Sequence, residues 1–281
     1  MNNIVARKEL APKIKLFDID APGIAAKAKP GNFVILRIDE RGERFPLTIA
    51  GIDISRGTLR LVFNEVGKST KKLGSLAEGD EILDLVGPLG NASEIDNFGN
   101  VLCIGGGVLV APLHFIASAL HRIGNRVITI IGARNKDLLI FEDELKSVSD
   151  EFYVSTDDGS KGYTGLDFVK GILDQKNINR AVAMGPVAML KAVCEITKPY
   201  NIKTMVTLAP IMVDGTGMCG CCRVSIGGQT KLTCVDGPEF DGHQVDWELL
   251  SSRMRTYLTE ERISSLFYEV LGEERLRVGS V

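Results

Sequence analysis

The stretch MVDGTGMCGCC, residues 212–222, holds Asp214, Cys219, Cys221 and Cys222, and Cys234 follows twelve residues after Cys222. Four of the six cysteines therefore fall within sixteen residues. The N-terminus carries no apolar signal segment, so a metal centre is expected rather than a disulfide scaffold. Thiolates at Cys219, Cys222 and Cys234 match the short-loop-plus-distant-ligand layout of iron–sulfur sites. Three thiolates and the Asp214 carboxylate could also bind zinc tetrahedrally, and free buried cysteines are the bland alternative. Gly215, Thr216, Gly217 and Gly220 favour a cluster, because the backbone must wrap closely and aim N–H groups at sulfur.

Two further stretches could hold phosphate. In IGGGVLVAP, residues 104–112, an apolar strand runs through Gly105, Gly106 and Gly107 into a helix. Backbone N–H groups and a helix N-terminus in that setting can hold a dinucleotide pyrophosphate, although the motif is not GxGxxG and Leu109 sets a branched side chain close by. In ERFPLTIAG and VGKSTKKLGSL, Arg44 lies beside Pro46, Leu47 and Thr48, and Gly67, Ser69 and Thr70 are additional phosphate donors. The Pro-Leu-Thr segment also suits an ordinary β-turn.

The elements that must position these residues are legible in the texture of the chain. Its 281 residues, 44% hydrophobic and 25% charged, suffice for two or three domains. Residues 1–97 show short β-rich segments between turn clusters and read as a small antiparallel β-barrel. Residues 98–206 alternate strand and helix, which predicts a doubly wound α/β domain with a parallel sheet. Residues 207–250 form a compact module that needs a staple, and 251–281 read as a C-terminal helical arm. A net charge of -3 gives no case for nucleic acid, no run is apolar enough to span a membrane, and a cytoplasmic protein is expected.

With barrel, glycine turn and cysteine loop in that order, the chain resembles flavoprotein reductases of the ferredoxin–NADP reductase superfamily that carry a terminal [2Fe–2S] module. RFPLT, GKSTKKL, GARNKDLLI, TDDGSKGYTG, GPVAML and the cysteine loop are similar to signatures of the small subunits of electron-bifurcating NADH-dependent ferredoxin:NADP oxidoreductases. More distantly they are similar to those of dihydroorotate dehydrogenase electron-transfer subunits. The resemblance implies FAD at Arg44, Pro46, Leu47, Thr48, Gly67, Ser69 and Thr70. It implies NAD(H), with NADP(H) open, at residues 105–107, with Arg134 near the adenosine ribose and Asp157, Asp158 and Gly159 near the nicotinamide end. It implies a [2Fe–2S] cluster on Asp214, Cys219, Cys222 and Cys234, with Cys221 a bystander and aspartate replacing a cysteine.

Leu109 departs from the group's pattern, standing where a fourth glycine is usual. A relay subunit that does not itself use a nicotinamide is the reading this departure leaves open, beside a dihydroorotate dehydrogenase-like subunit. The implied activity is electron transfer from NAD(P)H through FAD and the cluster to a larger flavin and iron–sulfur subunit, with ferredoxin reached indirectly. No general acid or base is needed, so no catalytic side chain is assigned and His114, His121 and His243 are read as structural.

Overall fold

The computed structural model describes residues 2–276. Six strands, β1 (Ile4–Ala11), β2 (Ile14–Asp20), β3 (Phe33–Arg37), β4 (Phe45–Asp53), β5 (Thr58–Asn64) and β6 (Asp84–Leu89), pair antiparallel in the order β1-β2-β5-β4-β3-β6. The ring closes where Ile4 N–H donates to the Asp80 carbonyl at 2.9 Å and Ile82 N–H to the Asn2 carbonyl at 3.0 Å. Closure leaves no long unpaired edge. Phe17, Val34, Leu36, Ile49, Leu61 and Phe63 fill the interior, with Phe17 and Phe63 meeting edge to face at 5.1 Å. The continuous apolar run of β3 has a reason: Val34 and Leu36 enter this core, whereas Phe33 and Ile35 belong to a separate apolar cluster. Two helices accompany the barrel, the single turn α1 (Pro22–Ala25) and α2 (Lys68–Ser75), whose Leu73 is fully buried in the same core.

The second region alternates β7 (Asn100–Gly106), α3 (Val110–Arg122), β8 (Arg126–Ala133), α4 (Glu142–Ser147), β9 (Glu151–Thr156), α5 (Phe168–Gln175), β10 (Arg180–Met184), α6 (Val187–Thr197) and β11 (Lys203–Thr207). The strands pair in parallel in the order β11-β10-β7-β8-β9. Helices α3 and α4 pack with Val101, Cys103, Val127 and Ile131, and α5 and α6 with Leu102, Ile104, Ile128 and Ile130. Successive residues of one strand thus serve opposite faces, and the region is doubly wound. One apolar cluster joins it to the barrel, since Ile14, Leu16, Ala50 and Val62 pack with Val110, Leu113 and Ile116 of α3.

The last region holds the hairpin β12 (Arg223–Ile226) and β13 (Gln229–Leu232), the turn α7 (Thr233–Asp236), β14 (Glu239–Asp241), α8 (Trp247–Met254) and α9 (Leu258–Leu276). The sequence suggests a module needing its own staple, but β14 adds antiparallel to β11 at the edge of the parallel sheet, and Val224, Phe240, Val245 and Leu250 join that sheet's core. A segment this short gains burial by borrowing a neighbour's apolar face.

At the start of β14, the half-buried Glu239 carboxylate accepts from Ser93 Oγ at 2.5 Å, and desolvation raises its pKa. Helix α8 is tied to the cysteine loop, with Arg253 Nη2 donating to the Cys221 carbonyl at 3.0 Å. Helix α9 follows after Met254, and residues 277–281 of the expected arm lie outside the described residues.

Candidate flavin, nucleotide and iron–sulfur sites

The barrel residues singled out from the sequence converge. Arg44 precedes β4, in which Pro46, Leu47 and Thr48 pair with Ile35, Val34 and Phe33 of β3. Arg37 Nε donates to Asp84 Oδ2 at 2.6 Å, while Arg44 lies 3.6 Å from the same oxygen with its side chain 48% exposed. Arg44 is thus held loosely and presented outward.

Gly67 caps α2. Thr70 Oγ1 accepts from the Val66 and Gly67 N–H groups at 3.1 Å each and donates to the Gly67 carbonyl, so its hydroxyl is spent closing the cap. Ser69 Oγ donates to Glu43 Oε2 at 2.5 Å, and Lys68 Nζ lies 3.4 Å from the same carboxylate. A carboxylate thus already sits at the head of α2, next in sequence to Arg44, and marks the spot as suited to an anion. The first-turn backbone N–H groups, with Arg44, are the donors left for a phosphate. Sequence reasoning did not single out Glu43, because nothing local shows that residue 43 meets residue 69.

At the parallel sheet, the strand order reverses between β7 and β10, the switch point where ligands enter a doubly wound fold. The turn at residues 105–107 ends β7 there. Its glycines differ in purpose. A Cβ on Gly106 would meet Met189 Sδ at 2.5 Å and Pro186 Cδ at 3.1 Å, so this glycine admits α6. Gly107 has φ +59° and nothing within 4 Å of where a Cβ would stand, so it serves conformation and open space. Gly185 faces Gly106 across the switch point, its missing Cβ lying 3.3 Å from Gly106 Cα. It was legible only as part of GPVAML and was not assigned to the site.

Leu109 takes a right-handed conformation with φ -74°, and its half-buried side chain packs on the apolar cluster shared with α3. The side chain expected to crowd a dinucleotide is directed to the core. Leu109→Gly is expected to leave NADH affinity within about twofold of wild type and to cost about 1–2 kcal/mol of stability, the share of a buried leucine that a half-buried one carries. Titration of NADH and thermal melting check both.

Arg134, Asp157, Asp158 and Gly159 are brought together by the ends of adjacent strands β8 and β9. Asp157 N–H donates to the Ala133 carbonyl at 3.1 Å, Asp158 N–H to the Arg134 carbonyl at 3.2 Å, and Lys136 N–H to Ser160 Oγ at 2.8 Å. These backbones form one patch beyond the ends of β8 and β9. Among the histidines, His114 Nε2 lies 3.2 Å from Ser118 Oγ and His243 Nε2 lies 3.1 Å from Thr197 Oγ1, both packing contacts within the fold.

The four expected cluster ligands stand as two pairs. Cys222 and Cys234 are buried with their sulfurs 3.2 Å apart, and Cys222 Sγ also accepts the Cys234 N–H at 3.5 Å. Asp214 Oδ1 accepts the Thr216 N–H at 2.7 Å and Oδ2 the Cys219 N–H at 2.6 Å, while Cys219 Sγ accepts the Cys221 N–H at 3.5 Å. Among the described residues no three His, Cys, Asp or Glu side chains are grouped to hold one ion. A two-iron cluster takes thiolate and related ligands in its loop, and a buried thiol pair beside a loop that carries Cys219 and Asp214 supplies donors of that chemistry.

The N–H of Cys221 lowers the Cys219 pKa, that of Thr216 lowers Asp214, and burial pushes Cys234 up to about 12. An iron ion would supply the charge that deprotonates the buried thiol. The module is seated on the barrel: Met212, Cys222 and Cys234 pack with Phe33 and Ile35, and a Cβ on Gly215 would lie 2.7 Å from Ile35 Cγ1.

An antiparallel barrel, a doubly wound parallel sheet and a cysteine-bearing C-terminal module define a ferredoxin reductase-like fold extended by a small cysteine module. Phthalate dioxygenase reductase shares the fold, with TM-score 0.57 at 16% identity over 80% of this chain and 85% of its own.

Residues 209–246 match the iron–sulfur cluster binding domain of dihydroorotate dehydrogenase B. The chain is 46% identical over 276 residues to the dihydroorotate dehydrogenase B (NAD(+)) electron transfer subunit homolog of Thermotoga maritima, covering 97% of this chain and 98% of that one. It is 32% identical to the electron transfer subunit of Desulforamulus reducens, covering 87% and 97%. A chain from the NADH-dependent reduced ferredoxin-NADP oxidoreductase structure, solved for insight into flavin-based electron bifurcation, superposes with TM-score 0.90 at 45% identity, covering 96% of this chain and 98% of that one. The protein belongs to the family of dihydroorotate dehydrogenase B electron-transfer subunits and their homologues.

Proposed function

We propose that this chain is the electron-transfer flavoprotein subunit of a ferredoxin:NADP oxidoreductase complex of the bifurcating type, passing electrons between a nicotinamide dinucleotide, FAD and a [2Fe–2S] cluster to a larger partner subunit. One observation carries the reading: Cys222 and Cys234 bury against Phe33 and Ile35, the residues of β3 whose pairing partners in β4 are Thr48 and Pro46. Adjacent strands lie about 5 Å apart, so the cluster module and the flavin segment share one wall of the barrel.

Arg44 and the first-turn N–H groups of α2 hold the flavin pyrophosphate, displacing the Glu43 carboxylate, and Pro46, Leu47 and Thr48 flank the ring. Gly107 and the α3 N-terminus receive the dinucleotide pyrophosphate. Arg134, Asp157, Asp158 and Gly159 together meet the adenosine end. Asp214, Cys219, Cys222 and Cys234 ligate the cluster. Bound there, FAD would supply a two-electron hydride acceptor that can also donate single electrons, and a [2Fe–2S] cluster a one-electron acceptor. The protein binds, orients and excludes water around these groups. Asp214 at the first ligand position resembles the transhydrogenase small subunits, and that resemblance favours this branch over a dihydroorotate dehydrogenase partner.

The partner docks on α9. Lys71 of α2 bonds Ser265 and Glu269 on one side of this helix. Ile263, Leu266, Phe267 and Val270, spaced as i, i+3, i+4 and i+7, are all exposed on another. Deletion of residues 258–281 is expected to leave a folded chain that no longer co-purifies with the larger subunit, and undiminished co-purification would contradict the assignment. No helix among the described residues is long and apolar enough to cross a membrane.

The overall reading is tested by anaerobic visible spectroscopy of the purified chain during titration with NADH and then dithionite. Bleaching of flavin and iron–sulfur absorption by NADH is expected. Bleaching by dithionite alone would return the chain to a relay that takes electrons only from its partner.

A further inference from the structure

The backbone assigned to the flavin phosphate, residues 66–73, is fastened at both ends by one buried cation. Lys15, on β2 and 8% exposed, sets Nζ 2.6 Å from Glu65 Oε1, just before that segment, and donates to the Gly74 carbonyl, just after it, at 2.9 Å. Arg7 Nη2, from β1, donates to the same carbonyl at 3.1 Å. Glu65 N–H in turn bonds the Lys13 carbonyl at 2.9 Å, which anchors the start of the segment to the β1–β2 turn.

Gly74 is a poor helix former set in the last turn of α2, and it is not among the glycines with positive φ. Its purpose is space: a Cβ there would lie 1.7 Å from Glu65 Oε1 and 2.6 Å from Glu65 Cδ. The cations also suit the negative end of the helix dipole.

We propose that Lys15 is a positioning residue for FAD. By holding Glu65 and the Gly74 carbonyl at once it closes residues 65–74 into a fixed unit and so aims the first-turn N–H groups of α2 at the flavin phosphate. Seven residues of helical rise separate Gly67 from Gly74, on the order of 10 Å, so Lys15 acts through the helix and touches no phosphate. The inference rests on the assignment of residues 44–70 to the flavin.

The test uses the full chain stripped of flavin, titrated with FAD by fluorescence quenching, with thermal melting of each apo protein. Two variants loosen the unit differently. Gly74→Ala improves helix propensity but displaces only the flexible end of Glu65. Lys15→Met combined with Glu65→Leu replaces the ion pair by apolar side chains, an exchange that cores often tolerate. Arg44→Ala is the control for the flavin site itself. Both variants are expected to weaken FAD binding on the order of tenfold, the scale of losing an orienting partner outside the ligand shell, with melting close to wild type. If Arg44→Ala weakens FAD and neither variant does, the role of Lys15 is overturned and the flavin site stands. The role is equally overturned if affinity falls only in step with melting temperature. Wild-type FAD binding by Arg44→Ala would overturn the site assignment and the Lys15 role with it.

Discussion

Cys222→Ala and Cys234→Ala are each expected to abolish iron content and the broad iron–sulfur absorption while FAD remains bound. These two thiols form the buried pair, their sulfurs 3.2 Å apart against Phe33 and Ile35. Removing either leaves an iron with one protein ligand inside an apolar wall, where water cannot substitute cheaply. Cys221→Ala is expected to keep the cluster. The Cys221 N–H points at the Cys219 sulfur and its thiol also lies against that sulfur, contacts that organise the loop from outside the expected ligand set.

Asp214 separates two roles that the loop combines. Its carboxylate accepts the Thr216 and Cys219 N–H groups, and it stands at a ligand position. Asp214→Asn retains an acceptor for the loop but loses the anionic oxygen. An Asp214→Asn protein that keeps FAD and a folded loop but lacks iron and the broad iron–sulfur absorption supports ligation, whereas full iron content with an unchanged spectrum reduces Asp214 to a loop organiser. Iron and sulfide analysis beside the visible spectrum decides each case.

Gly107→Val is expected to slow NADH-driven flavin bleaching by about a hundredfold, the scale on which small misplacements act at reacting centres. Dithionite bleaching, FAD content and iron content should stay at wild-type levels. The cause is twofold. A left-handed φ costs an ordinary residue about 1–2 kcal/mol, and a β-branched one fares worse. The added side chain also enters the open space at the switch point, where nothing of the protein lies within 4 Å. Gly106→Val makes a useful contrast, because its side chain would strike Met189 and Pro186 and so disturb α6 before any ligand arrives. A Gly107→Val protein reduced by NADH at the wild-type rate would remove the turn from the nucleotide site.

The proposed electron path carries the same logic. Strand β3 is buried on both faces, and its two faces serve different neighbours. Val34 and Leu36 hold the barrel, while Phe33 and Ile35 hold the cysteine module. Loss of packing at Ile35 would therefore disturb the cluster loop through Gly215 without altering any ligand.

The sequence by itself determined what repeats locally. Period-two segments separated by turns determined the barrel, and strand–helix alternation determined the doubly wound sheet. Strand, three glycines and helix marked the turn proposed for phosphate, and cysteine spacing marked the loop that matches an iron–sulfur domain. These signals survive in one dimension because strand pleat, helix turn and ligand bite each span only a few residues.

Tertiary structure alone decided the rest. It turned Leu109 inward, set Arg134 beside Asp157 and Asp158, and placed Glu43 at the head of α2. It carried β14 to a sheet edge remote in sequence and joined Lys15 to Glu65 and Gly74. It also laid the cysteine pair against β3, across nearly two hundred residues of chain. Such contacts follow from which apolar faces bury one another and which charges find partners once water is excluded, and burial is a property of the packed chain rather than of any short stretch of it.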